Sequence, residues 1–152
     1  MTDKRIDGLQ IKKALNMWLK FIRAYSTYNK KAADHLKGFG LTTPQYMVIE
    51  CLGHFGPLLT GELSKKTFRS GGNMTFVVDA LEKADFVKRI VIEDDRRAIL
   101  VQLTPTGEKL YHDAFNKHGE FLDGLADVFT REEQIEFARL LKKVGLTLAD
   151  MP

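Results

Sequence analysis

The chain has 152 residues, 44% of them hydrophobic and 28% charged, which fits one globular domain and excludes disordered, collagen-like and fibrous classes. Its formal charge is only +3, from 23 Lys+Arg against 20 Asp+Glu, so bulk charge by itself points to no polyanionic partner. A single cysteine, Cys51, rules out an internal disulfide framework and cysteine-rich zinc modules and is what a reducing cytosol leads one to expect. No run of about 18 apolar residues occurs, and the opening MTDKRIDGLQ holds no apolar signal core. The expectation is a cytoplasmic chain with no membrane partner.

Charge is unevenly spread. Residues 1–40 hold nine basic side chains against three acids, residues 41–59 have no Lys or Arg, residues 60–100 hold eight basic against seven acidic, and residues 101–152 hold six against nine. A binding surface in the 60–100 segment must therefore sort its signs by geometry.

From Leu9 to Leu36, Ile11, Leu15, Trp18, Leu19, Ile22, Tyr25, Ala32 and Leu36 recur at three- and four-residue steps, the mark of a long amphipathic helix that ends near Gly38 and Gly40. Thr42 and Gln45 form a capping box for a second helix carrying Tyr46, Val48, Ile49 and Leu52. Thr60 caps a short helix over 61–66, and Ser70-Gly71-Gly72-Asn73 opens another that runs to about Ala84 with a buried stripe of Met74, Val77, Val78 and Leu81. The period then shifts toward two: 86–92 and 98–103 are β-branched and apolar and flank the polar turn 93–97, a hairpin. Thr104-Pro105 starts a long helix, and Thr130 with Glu133 in box position starts the last one.

Two helices joined by a tight turn and followed at once by a hairpin spell a winged helix-turn-helix. The fold expected is mainly α with a small β-hairpin, one domain over 1–152. Its winged helix-turn-helix spans 41–104, and N- and C-terminal dimerisation helices span 5–38 and 105–150. The outer helices each carry a broad apolar stripe that is most simply buried on the other and on a second subunit, so a homodimer is expected.

Asp95-Arg96-Arg97-Ala98-Ile99-Leu100-Val101-Gln102-Leu103-Thr104 contains an aspartate, any residue, an arginine, five residues and Leu-Thr. With Leu41-Thr42-Thr43-Pro44-Gln45-Tyr46 at the second helix and Ser70 through Lys83 as a recognition helix, the chain resembles the multiple-antibiotic-resistance regulator (MarR) family of bacterial transcription factors. It departs from the family's pattern at the wing tip, where Ile92-Glu93-Asp94 stands in place of a proline or glycine before the aspartate.

The residues agree with what the resemblance implies, binding of double-stranded DNA at a pseudo-palindromic operator. Asn73 suits an adenine edge, and Thr75 or Phe76 a thymine methyl or sugar. Thr60, Lys65, Lys66, Arg69 and Ser70 stand where phosphates would pass and would set register, and Gly72 is expected among the DNA-binding residues. Arg97 matches the family's minor-groove arginine, with Arg96 beside it, and Asp95 would orient an arginine. The family also implies a repressor released by a small aromatic or phenolic effector or by an oxidant. By resemblance the effector pocket draws on Arg23, Tyr46, His54, Tyr111 and His118, and the redox candidate is Cys51.

No catalytic centre is legible. The four histidines show no HExxH spacing and no CxxC pair exists, so neither metal nor other cofactor is expected; Glu108 and His112, at i and i+4, read as an ordinary exposed pair. The other reading is a winged-helix module that mediates only protein contacts.

Overall fold

The computed structural model describes residues 8–67, 71–93, 95–149 and 151, the side chains of 95–97 apart. In chain order these form α1 (Gly8–Lys37), α2 (Thr43–Phe55), β1 (Leu58–Leu59), α3 (Thr60–Lys66), α4 (Gly71–Lys83), β2 (Val87–Ile92), β3 (Asp95–Leu103), α5 (Pro105–Ala126) and α6 (Arg131–Ala149). The strands make one antiparallel sheet in the order β1-β3-β2.

Local chemistry sets the boundaries. At the end of α1, Gly40 takes φ +71° while its N–H reaches Lys37 O and the Leu41 N–H reaches Leu36 O at 3.2 Å, a Schellman closure that needs a left-handed residue. The α2 capping box forms as expected: Gln45 N–H donates to Thr42 Oγ1 at 3.4 Å and Thr42 N–H to Gln45 Oε1 at 2.9 Å. A second box closes at α6, where Thr130 N–H donates to Glu133 Oε2 at 2.9 Å and Glu133 N–H to Thr130 Oγ1 at 3.3 Å.

Three boundaries differ from the sequence reading. Strand β1 was not anticipated, because two residues have no period; Leu58 and Leu59 pair with Val101 and Leu100 and turn the hairpin into a three-stranded sheet. Helix α3 begins one residue early. Leu59 takes the cap position, its N–H donating to Glu62 Oε2 at 2.8 Å, while the Thr60 hydroxyl donates to Ile99 O at 3.2 Å. Thr60 thus ties α3 to β3 instead of capping. The wing is longer on its return side: residues 95–97, expected in the turn, extend β3, and the register slips between Val91 and Ile92 so that Ile92 faces Asp95.

Packing concentrates in the middle of the chain. Val48 and Ile49 of α2, Leu63 of α3, Met74, Val78 and Leu81 of α4, Val87 of β2 and Val101 of β3 are all buried to 1% exposure or less and belong to one cluster. Burial of each such side chain stabilises by about 1.5–3 kcal/mol, so the winged segment holds its own core. The ends do not: α1 buries only Leu36, and α6 buries nothing. Trp18, Leu19 and Ile22 on α1, and Ile135, Phe137, Leu140, Leu141 and Val144 on α6, all remain exposed.

Helix α5 is bonded to the winged segment at its first turn. Thr104 Oγ1 accepts from Gly107 N–H at 3.0 Å and donates to Asp85 O at 2.6 Å, and the Thr104 N–H reaches Phe86 O at 3.1 Å. The approach is so close that a Cβ on Gly107 would lie 1.9 Å from Phe86 O. Among the described residues, no helix is long and apolar enough to cross a membrane.

Candidate nucleic-acid interface

The two faces of α4, the expected reading element, differ. Met74, Val77, Val78 and Leu81 are buried against α2, α3 and the sheet, which leaves Asn73, Thr75, Phe76 and Asp79 on the outside. Phe76 is 76% exposed, an aromatic ring presented to solvent beside Asn73 and Thr75. The Thr75 hydroxyl donates to Gly71 O at 3.1 Å, a back-bond to the preceding turn. A Cβ at Gly71 or Gly72 would meet nothing within 4 Å.

The expected phosphate contacts fare differently. Lys65 and Lys66 are both exposed at the end of α3, and the Lys66 ammonium lies 3.8 Å above the Phe55 ring centroid, a cation–π contact that steadies the charge without removing it. Thr60 has its hydroxyl proton engaged by Ile99. Arg69 and Ser70 lie outside the described residues, as do the side chains of Asp95, Arg96 and Arg97, although the backbone of the last three runs in β3.

One group that the sequence reading passed over organises this surface. Arg89 of β2 places Nη2 2.6 Å from Asp79 Oδ1 and Nη1 2.7 Å from Glu82 Oε2, donates from Nη2 to Thr75 O at 3.4 Å, and gives its backbone N–H to Glu82 Oε1 at 3.1 Å. Partial burial works against the guanidinium charge, but the hydrogen bonds it donates to Asp79 and Glu82, together with their negative charges, outweigh it and hold its pKa above the ordinary value. The signal was present in the sequence: carboxylates at i and i+3 on α4, and an arginine two strand positions after the buried Val87.

The expected effector groups divide. His118 of α5 is buried, its Nδ1 3.0 Å from Nδ1 of His35 on α1, and the Tyr46 ring of α2 meets it edge-on at 4.9 Å. Phe121 stacks on His35 at 4.2 Å. Tyr111 packs against Gly53 so closely that a Cβ there would sit 2.4 Å from the ring. Burial foremost, then the charge of Glu50 and the neighbouring Tyr111, raises the Tyr46 pKa. Two residues fall outside this cluster: Arg23, exposed on α1 and about 18 Å along the helix from His35, and His54, exposed and edge-on to Phe55. His35 is the member that sequence reasoning missed, since a histidine in a helical stripe carries no partner label. Cys51 is 7% exposed, and burial first, then Glu50, pushes its thiol pKa up, which lowers the thiolate fraction. Glu108 and His112 are exposed on α5, and among the described residues no group of three or more His, Cys, Asp or Glu is placed to hold a metal ion.

Comparison with known proteins supplies the family. A model described as "MarR family" matches residues 41–99. The HTH-type transcriptional regulator MhqR of Bacillus subtilis (strain 168) is 31% identical over 134 residues, spanning 88% of this chain and 92% of that protein. Among solved structures, the S. aureus MepR–DNA complex aligns with a TM-score of 0.76 at 23% identity over 85% of this chain and 96% of its own. NadR in complex with 4-hydroxyphenylacetate aligns with a TM-score of 0.68 at 25% identity over 100% and 99%. The chain belongs to the MarR family of winged helix-turn-helix, DNA-binding transcriptional regulators, and is a regulator of transcription, not an enzyme.

Proposed function

We propose that the chain acts as a homodimer that sets two copies of α4 into successive major grooves of a pseudo-palindromic operator, with Arg97 and Arg96 of each wing at the flanking minor grooves. The observation that carries this reading is the face of α4: Asn73, Thr75 and an almost fully exposed Phe76 stand opposite a stripe buried in the core. Lys65, Lys66, Arg69 and Ser70, which precede that face in the sequence, would serve as phosphate contacts. The similarity in fold to MepR, solved as a DNA complex, supports DNA as the partner.

The dimer reading draws on the uncovered apolar residues of α1 and α6, which a second copy would bury. Bound at a promoter in the cytoplasm, such a dimer represses by occlusion. A small aromatic or phenolic effector that inserts at the Tyr46–His118 layer would favour a different spacing of the two α4 helices, by no more than its differential affinity for the two spacings. The ligand named for NadR, 4-hydroxyphenylacetate, supports that class.

The test is fluorescence anisotropy on duplexes selected from random sequence by the protein. Salt-dependent binding of a two-fold symmetric sequence, weakened by added 4-hydroxyphenylacetate or a related phenol, is expected. Absence of salt-dependent binding to any duplex would hand the function to protein contacts instead.

A further inference from the structure

We propose that Arg89 is a positioning residue for DNA recognition: it draws the carboxylates of Asp79 and Glu82 off the DNA-facing side of α4 and fixes that helix against β2. The inference rests on the reading of α4 as the major-groove helix. Residues 73, 76 and 79 recur at three-residue steps and so share one side of α4. Asp79 has a side chain 60% exposed, one turn beyond Phe76. Left alone, its carboxylate would face the phosphates with the wrong sign, and Glu82, 41% exposed, would add a second anion on the next turn.

Arg89 answers both. Its side chain is only 21% exposed, and the two terminal nitrogens are each committed to a different carboxylate at 2.6 and 2.7 Å, with Thr75 O as a third contact at 3.4 Å. Glu82 in turn holds the Arg89 backbone N–H at 3.1 Å, so strand and helix are joined through main chain as well as side chain. A guanidinium can span two acceptors in one plane, whereas a lysine ammonium is a single point of charge. This resolves the near-balance of eight basic and seven acidic groups in residues 60–100: two of the acids are turned toward an internal cation, leaving the basic groups of α3 and the wing to meet DNA.

A guanidinium so engaged works through its neighbours and not by touching phosphate, and the two roles separate by second-site rescue. Full-length wild type, Arg89→Gln, Asp79→Asn, the Arg89→Gln/Asp79→Asn double variant and Arg89→Lys are compared by anisotropy on one selected duplex and one unrelated duplex at two salt concentrations, with thermal denaturation confirming the fold. Arg89→Gln is expected to weaken binding at least about tenfold, and Arg89→Lys to fall between it and wild type. Asp79→Asn alone should bind as tightly as wild type or tighter. The double variant should bind at least about threefold more tightly than Arg89→Gln, with the remaining loss owed to the unmasked Glu82. A double variant as weak as Arg89→Gln makes Arg89 a direct DNA contact and overturns the proposal. If Arg89→Gln does not fold, Asp79→Asn decides: weaker binding by that variant overturns it equally. Wild type that binds neither duplex defeats the reading of α4 itself, a distinct result.

Discussion

His35 and His118 face each other across α1 and α5 with their Nδ1 atoms 3.0 Å apart and their rings stacked at 5.1 Å. Only one proton fits between two such atoms, so one ring donates and the other accepts, and at least one histidine is neutral when the pair is intact. Tyr46 and Phe121 close the sides of the pair, which therefore joins the N-terminal helix, the C-terminal arm and the winged segment in one aromatic layer.

Stability should fall as the solution is acidified. Burial first, and the His35 charge second, lowers the His118 pKa below its ordinary 6.5. The folded chain therefore binds fewer protons than the unfolded chain between the two values. Its full stability is present above the unfolded pKa and is lost as pH falls toward the depressed one. The Tm measured from about pH 7 down to about pH 5 should drop more steeply in wild type than in His118→Gln. Equal slopes would show that the pair does not govern the response.

Gly107→Ala tests the junction of α5 with the α4–β2 corner. The added Cβ meets a backbone carbonyl at 1.9 Å, which cannot move aside as a side chain can, so a loss of about 2 kcal/mol or more in chemical denaturation is expected. Gly124→Ala in the same helix meets nothing within 4 Å and should be neutral or stabilising by up to about 1 kcal/mol. Similar effects of the two would contradict the close approach.

Asp85 sits at φ +60° in the closure of α4, where Phe86 N–H reaches Leu81 O and Asp85 N–H reaches Glu82 O, both at 2.9 Å. A left-handed backbone tolerates Asp and Gly but penalises Ala. Denaturation midpoints should place Asp85→Ala about 1 kcal/mol below wild type and Asp85→Gly close to it. An alanine variant as stable as the glycine one would rule out strain at this position.

In the proposed complex, Arg97→Ala should weaken operator binding strongly at moderate salt and leave the dimer intact by light scattering. Asn73→Ala should relax base preference more than it lowers affinity for unrelated DNA. A uniform loss across sequences would instead assign Asn73 to a phosphate.

Much of this was readable from the sequence because it rests on local rules. The Thr42–Gln45 and Thr130–Glu133 boxes, the start of α5 at Thr104-Pro105, and the buried stripe of α4 are set by residues within one or two turns of each other. What escaped is long-range. Leu58-Leu59 becomes a strand only because β3 lies beside it, and Thr60 bonds Ile99 across 39 residues, so a good cap residue is diverted from capping. The Arg89–Asp79 and His35–His118 partnerships likewise join distant segments, and composition had shown those side chains only as counts.

The Thr104 hub has a mechanical meaning. Its hydroxyl and amide, with Gly107 pressed on Phe86, leave no hinge between α5 and the corner where α4 meets the wing. In the proposed dimer, arm and reading head would turn as one lever. A small rotation applied near His118, fourteen residues beyond Thr104, would swing α4 by the same angle, and because displacement grows with distance from the pivot, a tilt too slight to notice at the arm would suffice to take the two proposed reading heads out of step with one helical turn of DNA.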